Sequence, residues 1–251
     1  MRPRFNTLIA SALMAVFMAP AHALDVTEMS KEERAAFRAE VRAYLLDNPE
    51  VIMEAVAVLE QRQTAQQAQD DVSLIRANAD AIFSDGHSWV GGNPEGDVTV
   101  VEFMDYRCGY CRRASPEVTE LVDSDGDIRF ILKEFPILGE ESMLSSRYAI
   151  AVKQLAGDDA YKSAHDTLMN FKGSISEASL RRISGTLGFD AEEILAHMQS
   201  DRVTEVIAAN HALARELGIS GTPSFVLDDR MLRGYVPLDG MRDVVADIRA
   251  Q

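Results

Sequence analysis

The chain has 251 residues, 47% hydrophobic and 26% charged, which suits a globular protein with one large domain and an appendage. Its formal net charge is −15, from 40 Asp and Glu against 25 Lys and Arg. Such an acidic surface repels phosphate, so no nucleic-acid partner and no electrostatic adhesion to anionic lipid are expected.

Residues 1–23 read as a cleavable signal peptide. Arg2 and Arg4 precede the apolar run "LIASALMAVFMA", and Ala21-His22-Ala23 has the small-x-small form of a cleavage site. The run is too short to span a bilayer comfortably, and no later stretch is apolar enough to do so. The mature protein is expected to be exported and soluble.

Residues 24–83 read as a helical stalk with a break in the middle. Ser30 and Glu33 form a capping box, and Phe37, Val41, Tyr44 and Leu45 make one apolar stripe. "DNP" ends that helix; Asn48 can cap the next, with Pro49 at its first position. The second helix carries Val51, Ile52, Ala55, Val56, Val58 and Leu59, then turns polar on all faces through "QRQTAQQAQDD". A helix that is polar all round does not pack on a core. The apolar hairpin is too small to stabilise itself, so it is expected to meet copies of itself and make a homo-oligomer.

Residues 84–251 read as an α/β domain. "SDGHSWVGGNPEGD" is a Gly-rich junction, and "VTVVEFM" a buried strand. "CGYCRRASPEVTELV" is a helix starting at the cysteines, and "DIRFILKEFP" a second buried strand. Four helices follow over about 140–217, the last of them "DAEEILAHMQSDRVTEVIAANHALARELG". "GTPSFVLDD" and "RMLRGYV" are then strands, and "PLDGMRDVVADIRA" a closing amphipathic helix.

The chemistry concentrates in "EFMDYRCGYCRR", which holds the only two cysteines, Cys108 and Cys111. A C-x-x-C bridge closes too small a loop to be a useful staple. A tetrahedral zinc site wants four ligands, and His87, His165, His197 and His211 are scattered, so no metal site is expected. Transient Cu(I) binding by two thiolates stays chemically open. A cysteine at a helix start sits among unpartnered N–H groups at the positive end of the dipole, which favours thiolate. Cys108 is therefore the expected nucleophile, and Cys111, one turn along, the thiol that resolves a mixed disulfide.

Two signatures, "VTVVEFMDYRCGYC" and "GISGTPSFVL", together with the order of elements, resemble the thioredoxin fold of the DsbA family over residues 90–250. A DsbA-like domain behind an N-terminal helical stalk resembles the ScsC group, which includes trimeric isomerases linked to copper tolerance. The resemblance implies a thiol–disulfide oxidoreductase in the periplasm that works without a cofactor. It also implies a cis-proline at Pro223, with Thr222 presenting backbone to substrate, and a buried proton-handling acid at Glu102. Gly109, Tyr110, Thr222 and Pro223 are the expected substrate-binding residues. Exported proteins and a membrane redox partner are the expected partners. "CGYC" and Thr222 also resemble the dimeric isomerase DsbC, which favours an isomerase or reductase; a DsbA-like oxidase is the alternative. A copper-handling or chaperone protein is a third reading.

Overall fold

The computed structural model describes residues 29–250, so the expected signal peptide lies outside the described residues. The chain divides into two compact units, one ending at Glu60 and one beginning at Gln61. No helix among the described residues is long and apolar enough to cross a membrane.

In the first unit, α1 (Lys31–Asp47) begins with the expected capping box: Ser30 accepts from the Glu33 N–H, and Glu33 accepts from the Ser30 N–H. Asn48 closes α1, its side-chain amide donating to the Tyr44 carbonyl at 2.9 Å. The following helix, α2, runs Glu50–Ala77. α1 buries no residue, and Phe37, Val41, Tyr44, Ile52, Val56 and Leu59 are all exposed. Phe37, Val41, Leu45, Leu46 and Ile52 line an open groove flanked by Arg38 and Arg42.

The second unit is built on a five-stranded sheet in the order β1-β3-β2-β4-β5. Its strands are β1 (Trp89–Gly92), β2 (Val98–Met104), β3 (Ile128–Glu134), β4 (Ser224–Leu227) and β5 (Arg230–Arg233). β2 and β3 are parallel and the other pairs antiparallel. Side chains alternate across a strand, so β2 feeds two cores. Val98, Val100 and Met104 enter one core with α4 (Gly109–Asp125) and α10 (Leu238–Arg249). Val101 and Phe103 enter the other, with Ile75 of α2 and Ile82 of α3 (Ala79–Phe83). Glu102 shares parity with Val100 and Met104, which turns a carboxyl into the first core.

Between β3 and β4 lie α5 (Glu140–Ala156), α6 (Asp158–Asn170), α7 (Glu177–Leu187), α8 (Ala191–His197) and α9 (Asp201–Glu216). Three local expectations need correction. The Gly-rich junction contains an edge strand, β1, whose Trp89 packs on Phe130 and Tyr161; its two glycines mask the strand pattern. A side chain at Gly92, where φ is +66°, would collide with the Ile128 carbonyl. The last helix of the insertion is two, because Ser200 accepts from the Val203 N–H and starts α9 afresh. The stalk region has a second break, at Asn78, between α2 and α3.

Candidate active site

β2 delivers the chain into a turn that is pinned from several sides. Buried Asp105 accepts from the N–H groups of Arg107 (2.7 Å), Ile137 (2.8 Å) and Leu138 (3.1 Å), and from the Ser142 hydroxyl (2.8 Å). The Cys108 N–H donates to the Asp105 carbonyl at 3.1 Å. Cys108 then occupies the N-cap of α4 with extended backbone, φ −74° and ψ 119°. Its side chain makes no cap hydrogen bond, so the sulfur is left beside the open N–H groups of the first turn. Cys111 follows in that turn and is fully buried; both cysteines are free thiols.

This placement drives the two thiols apart electrostatically. Cys108 is pulled down to about 5, first by the hydrogen bond from Cys111. Burial opposes this, and the Thr222 side chain and the N–H groups of Cys111 and Tyr110 add to the lowering. When protonated, the Cys108 thiol donates to the Thr222 carbonyl at 3.2 Å. Cys111 is pushed up, by donating to Cys108, by burial and by the charge of Glu102. Glu102 is 2% exposed, and burial followed by the Cys108 charge raises its carboxyl to about 8. Its Oε1 has no hydrogen-bond partner. An unpartnered buried carboxyl that changes charge near neutrality can exchange a proton.

The Thr222–Pro223 bond is cis, and it opens β4 next to β2. The Pro223 carbonyl accepts from the Gly234 N–H at 3.0 Å. Tyr235, the next residue, stacks on Tyr110 between the two cysteines, with ring centroids 6.1 Å apart. Gly109 is exposed, with open space where a side chain would be. The structure thus brings Glu102, Cys108, Gly109, Tyr110, Cys111, Thr222 and Pro223 into one site. The pair Cys108 and Cys111 supplies two sulfur ligands; among the described residues no group of three or more His, Cys, Asp or Glu side chains is arranged to hold a metal ion.

Two neighbouring features carry no local sequence signal. Tyr235 sits in a loop remote in sequence, and only the β4–β5 hairpin brings it to Tyr110. Beneath the Cys108 turn, buried Glu134 accepts from the hydroxyls of Tyr106 (2.8 Å), Tyr161 (2.7 Å) and Ser146 (2.7 Å). Tyr106 also meets Nδ1 of His165 at 3.2 Å, on a ring buried in α6. Burial raises Glu134 to about 7 despite its three donors, and lowers His165 to about 4.

A central sheet with a cis-proline strand beside a dithiol at a helix start defines a thioredoxin-fold domain of the thiol–disulfide oxidoreductase class. The DSBA-like thioredoxin domain model matches residues 99–246, and the chain belongs to that family. The N-terminal domain model of copper resistance protein ScsC matches residues 33–66. A thioredoxin-like oxidoreductase from Silicibacter pomeroyi is 44% identical, with TM-score 0.64, over 68% of this chain and 98% of that one. BcfH of Salmonella enterica Typhimurium is 27% identical, with TM-score 0.72, over 86% of this chain and 95% of that one. A linker-deletion mutant of Proteus mirabilis ScsC is 25% identical, with TM-score 0.66, over 90% and 99%. Among curated proteins, Na(+)/H(+) antiporter NhaA 1 of Salinispora arenicola is 29% identical over 62% of this chain but 24% of its own. The chain thus spans about a quarter of the length of that relative. Disulfide bond formation protein D of Bacillus subtilis is 20% identical over 61% of this chain and 73% of its own.

Proposed function

We propose that the protein is an exported periplasmic thiol–disulfide oxidoreductase that reshuffles or reduces disulfides of other exported proteins. The observation that carries the exchange chemistry is the placement of the two thiols: Cys108 at the N-cap of α4 against the Thr222 carbonyl and the cis Pro223, and Cys111 fully buried behind it. The Cys108 thiolate attacks one sulfur of a substrate disulfide; an S–S bond forms to Cys108 and the other substrate sulfur leaves as thiolate. If a second substrate thiolate attacks the mixed disulfide, the substrate is isomerised with no net electron transfer. If the Cys111 thiolate attacks Cys108 sulfur, the substrate leaves reduced by two electrons and the Cys108–Cys111 disulfide forms. Glu102, in its carboxylate form, accepts the Cys111 proton in that step. The Thr222 backbone and the cis Pro223 lie where a substrate strand pairs, with Gly109 and Tyr110 at its side.

The N-terminal helices assemble copies of this chain. The exposed stripe of Phe37, Val41 and Tyr44 supports this, as does the ScsC-type match over residues 33–66. Several active sites around one substrate raise the effective concentration of thiolate and shield it from reoxidation. A membrane redox partner would restore the dithiol.

One observation favours a second reading, dithiol oxidase. A thiolate stabilised to about 5 also stabilises the reduced protein, which makes its disulfide the more oxidising. The experiment compares refolding of a scrambled-disulfide protein with oxidation of a reduced one. Reshuffling that is lost on deleting residues 24–60, with oxidation retained, supports the isomerase. Equal performance of both forms, with no reshuffling by either, makes it an oxidase. The deletion stops at 60 because Asp71 and Ile75 are buried in the larger unit.

A further inference from the structure

A closed circuit of contacts begins and ends at the Cys108 turn. The thiol donates to Thr222, the Pro223 carbonyl accepts from Gly234, and Tyr235 stacks on Tyr110, two residues from Cys108. Tyr235 is held firmly. Its hydroxyl donates to Glu117 at 2.6 Å, and the other oxygen of Glu117 accepts from the Leu238 N–H at 2.9 Å. The guanidinium of Arg113 lies over the same ring, 4.6 Å from its centroid. Tyr110 itself is 61% exposed, although its ring is large and apolar. The rings are inclined by 26°, so Tyr235 fixes the exposed ring of Tyr110, two residues after Cys108, as a platform.

We propose that Tyr110 and Tyr235 form an aromatic subsite for the substrate chain, selecting segments that carry an aromatic side chain next to the reacting cysteine. This rests on the exchange chemistry proposed above and names its substrate preference. Arg113 decides between occupants: its charge beside the rings repels a lysine or arginine of the substrate, while an uncharged aromatic ring stacks without that cost. Tyr235 acts as a positioning residue and Tyr110 makes the contact. A rigid aromatic platform also loses little side-chain entropy when a partner stacks on it.

The test uses the reduced mature chain and three disulfide-linked peptide homodimers with Phe, Ala or Lys beside the cysteine. Each turnover converts one peptide disulfide into two thiols and the protein dithiol into its disulfide. The Phe peptide is expected to react about three- to tenfold faster than the Ala peptide, the range of one aromatic pair. In Tyr110→Ala and in Tyr235→Ala that ratio is expected to fall to about one, while Tyr235→Phe, which keeps the stack, retains it. Comparing peptides within each variant cancels any loss of folded protein. A ratio near one in the unaltered protein, or a faster Lys peptide, overturns the subsite. Failure to react even with a small aliphatic disulfide overturns the exchange chemistry itself, and the subsite with it.

Discussion

Asp71 of α2 and Arg233 of β5 share two hydrogen bonds, each 2.7 Å, between carboxylate and guanidinium. Arg233 is followed by Gly234, which donates to Pro223, and by Tyr235, which stacks on Tyr110. The end of the long helix is thereby tied to the edge strand that leads into the site. Asp71 is nearly buried and Arg233 about one third exposed. Asp71→Ala is therefore expected to cost about 1–2 kcal/mol, below the range for a fully buried pair. Thermal unfolding measures it, and an Asp71→Ala, Arg233→Met double variant is expected to recover part of the loss.

The Cys108 thiolate sets the pH range of the chemistry. Alkylation of the reduced protein is expected to plateau above about pH 6, have its midpoint near 5, and fall about tenfold per unit below. Cys111→Ala removes the largest cause of the lowering, so its midpoint moves upward. A midpoint of 8 to 9 in the unaltered protein would mean that the helix start does not stabilise the thiolate.

Glu102 ties stability to pH with a definite sign. Its carboxyl is raised from 4.5 to about 8 in the folded chain, so the neutral form is the one the fold favours. Its contribution is complete below about pH 4.5 and is lost as pH rises through about 8. Glu102→Gln lacks this titration and is expected to be more stable than the parent by about 2–4 kcal/mol at pH 9, with little difference at pH 4.5. Urea unfolding at the two pH values checks it. The same variant slows release of the mixed disulfide, because Cys111 loses its proton acceptor.

Tyr106→Phe leaves the Glu134 oxygen and the His165 nitrogen buried with one partner fewer. The expected cost is about 1–3 kcal/mol. Because Tyr106 stands two residues before Cys108, an unchanged alkylation midpoint would separate this loss of stability from any effect on the thiol.

Val41→Asp and Tyr44→Asp place charges on the apolar stripe of α1. The mature protein is expected to sediment as an oligomer and each variant as a monomer, with oxidation of a small dithiol unaffected. A monomeric parent would end the assembly proposal.

Much of this was legible in residue order. "VTVVEFM" is a β-branched run bounded by turn residues, and β2 spans those seven residues. Ser30 and Glu33 sit three apart before an apolar stripe, and the capping box forms. Such signals are local, acting over one turn or one strand. Elements that depend on distant partners were less legible: β1 holds two glycines in four residues and exists because β3 pairs with it. The burial of Lys133, which donates to Asp85, follows from packing that no periodicity announces.

By itself the sequence determined the dithiol, its position between strand and helix, and the strand that follows Pro223. Those features depend on neighbours within a few residues, where covalent geometry and backbone hydrogen bonding leave few choices. Only the tertiary structure decided which groups stand around the sulfur. Thr222 reaches Cys108 and Tyr235 reaches Tyr110 across the sheet, and burial in the core raises the Glu102 carboxyl. Proximity of that kind comes from closing the whole core, so it is written in no single stretch of the chain.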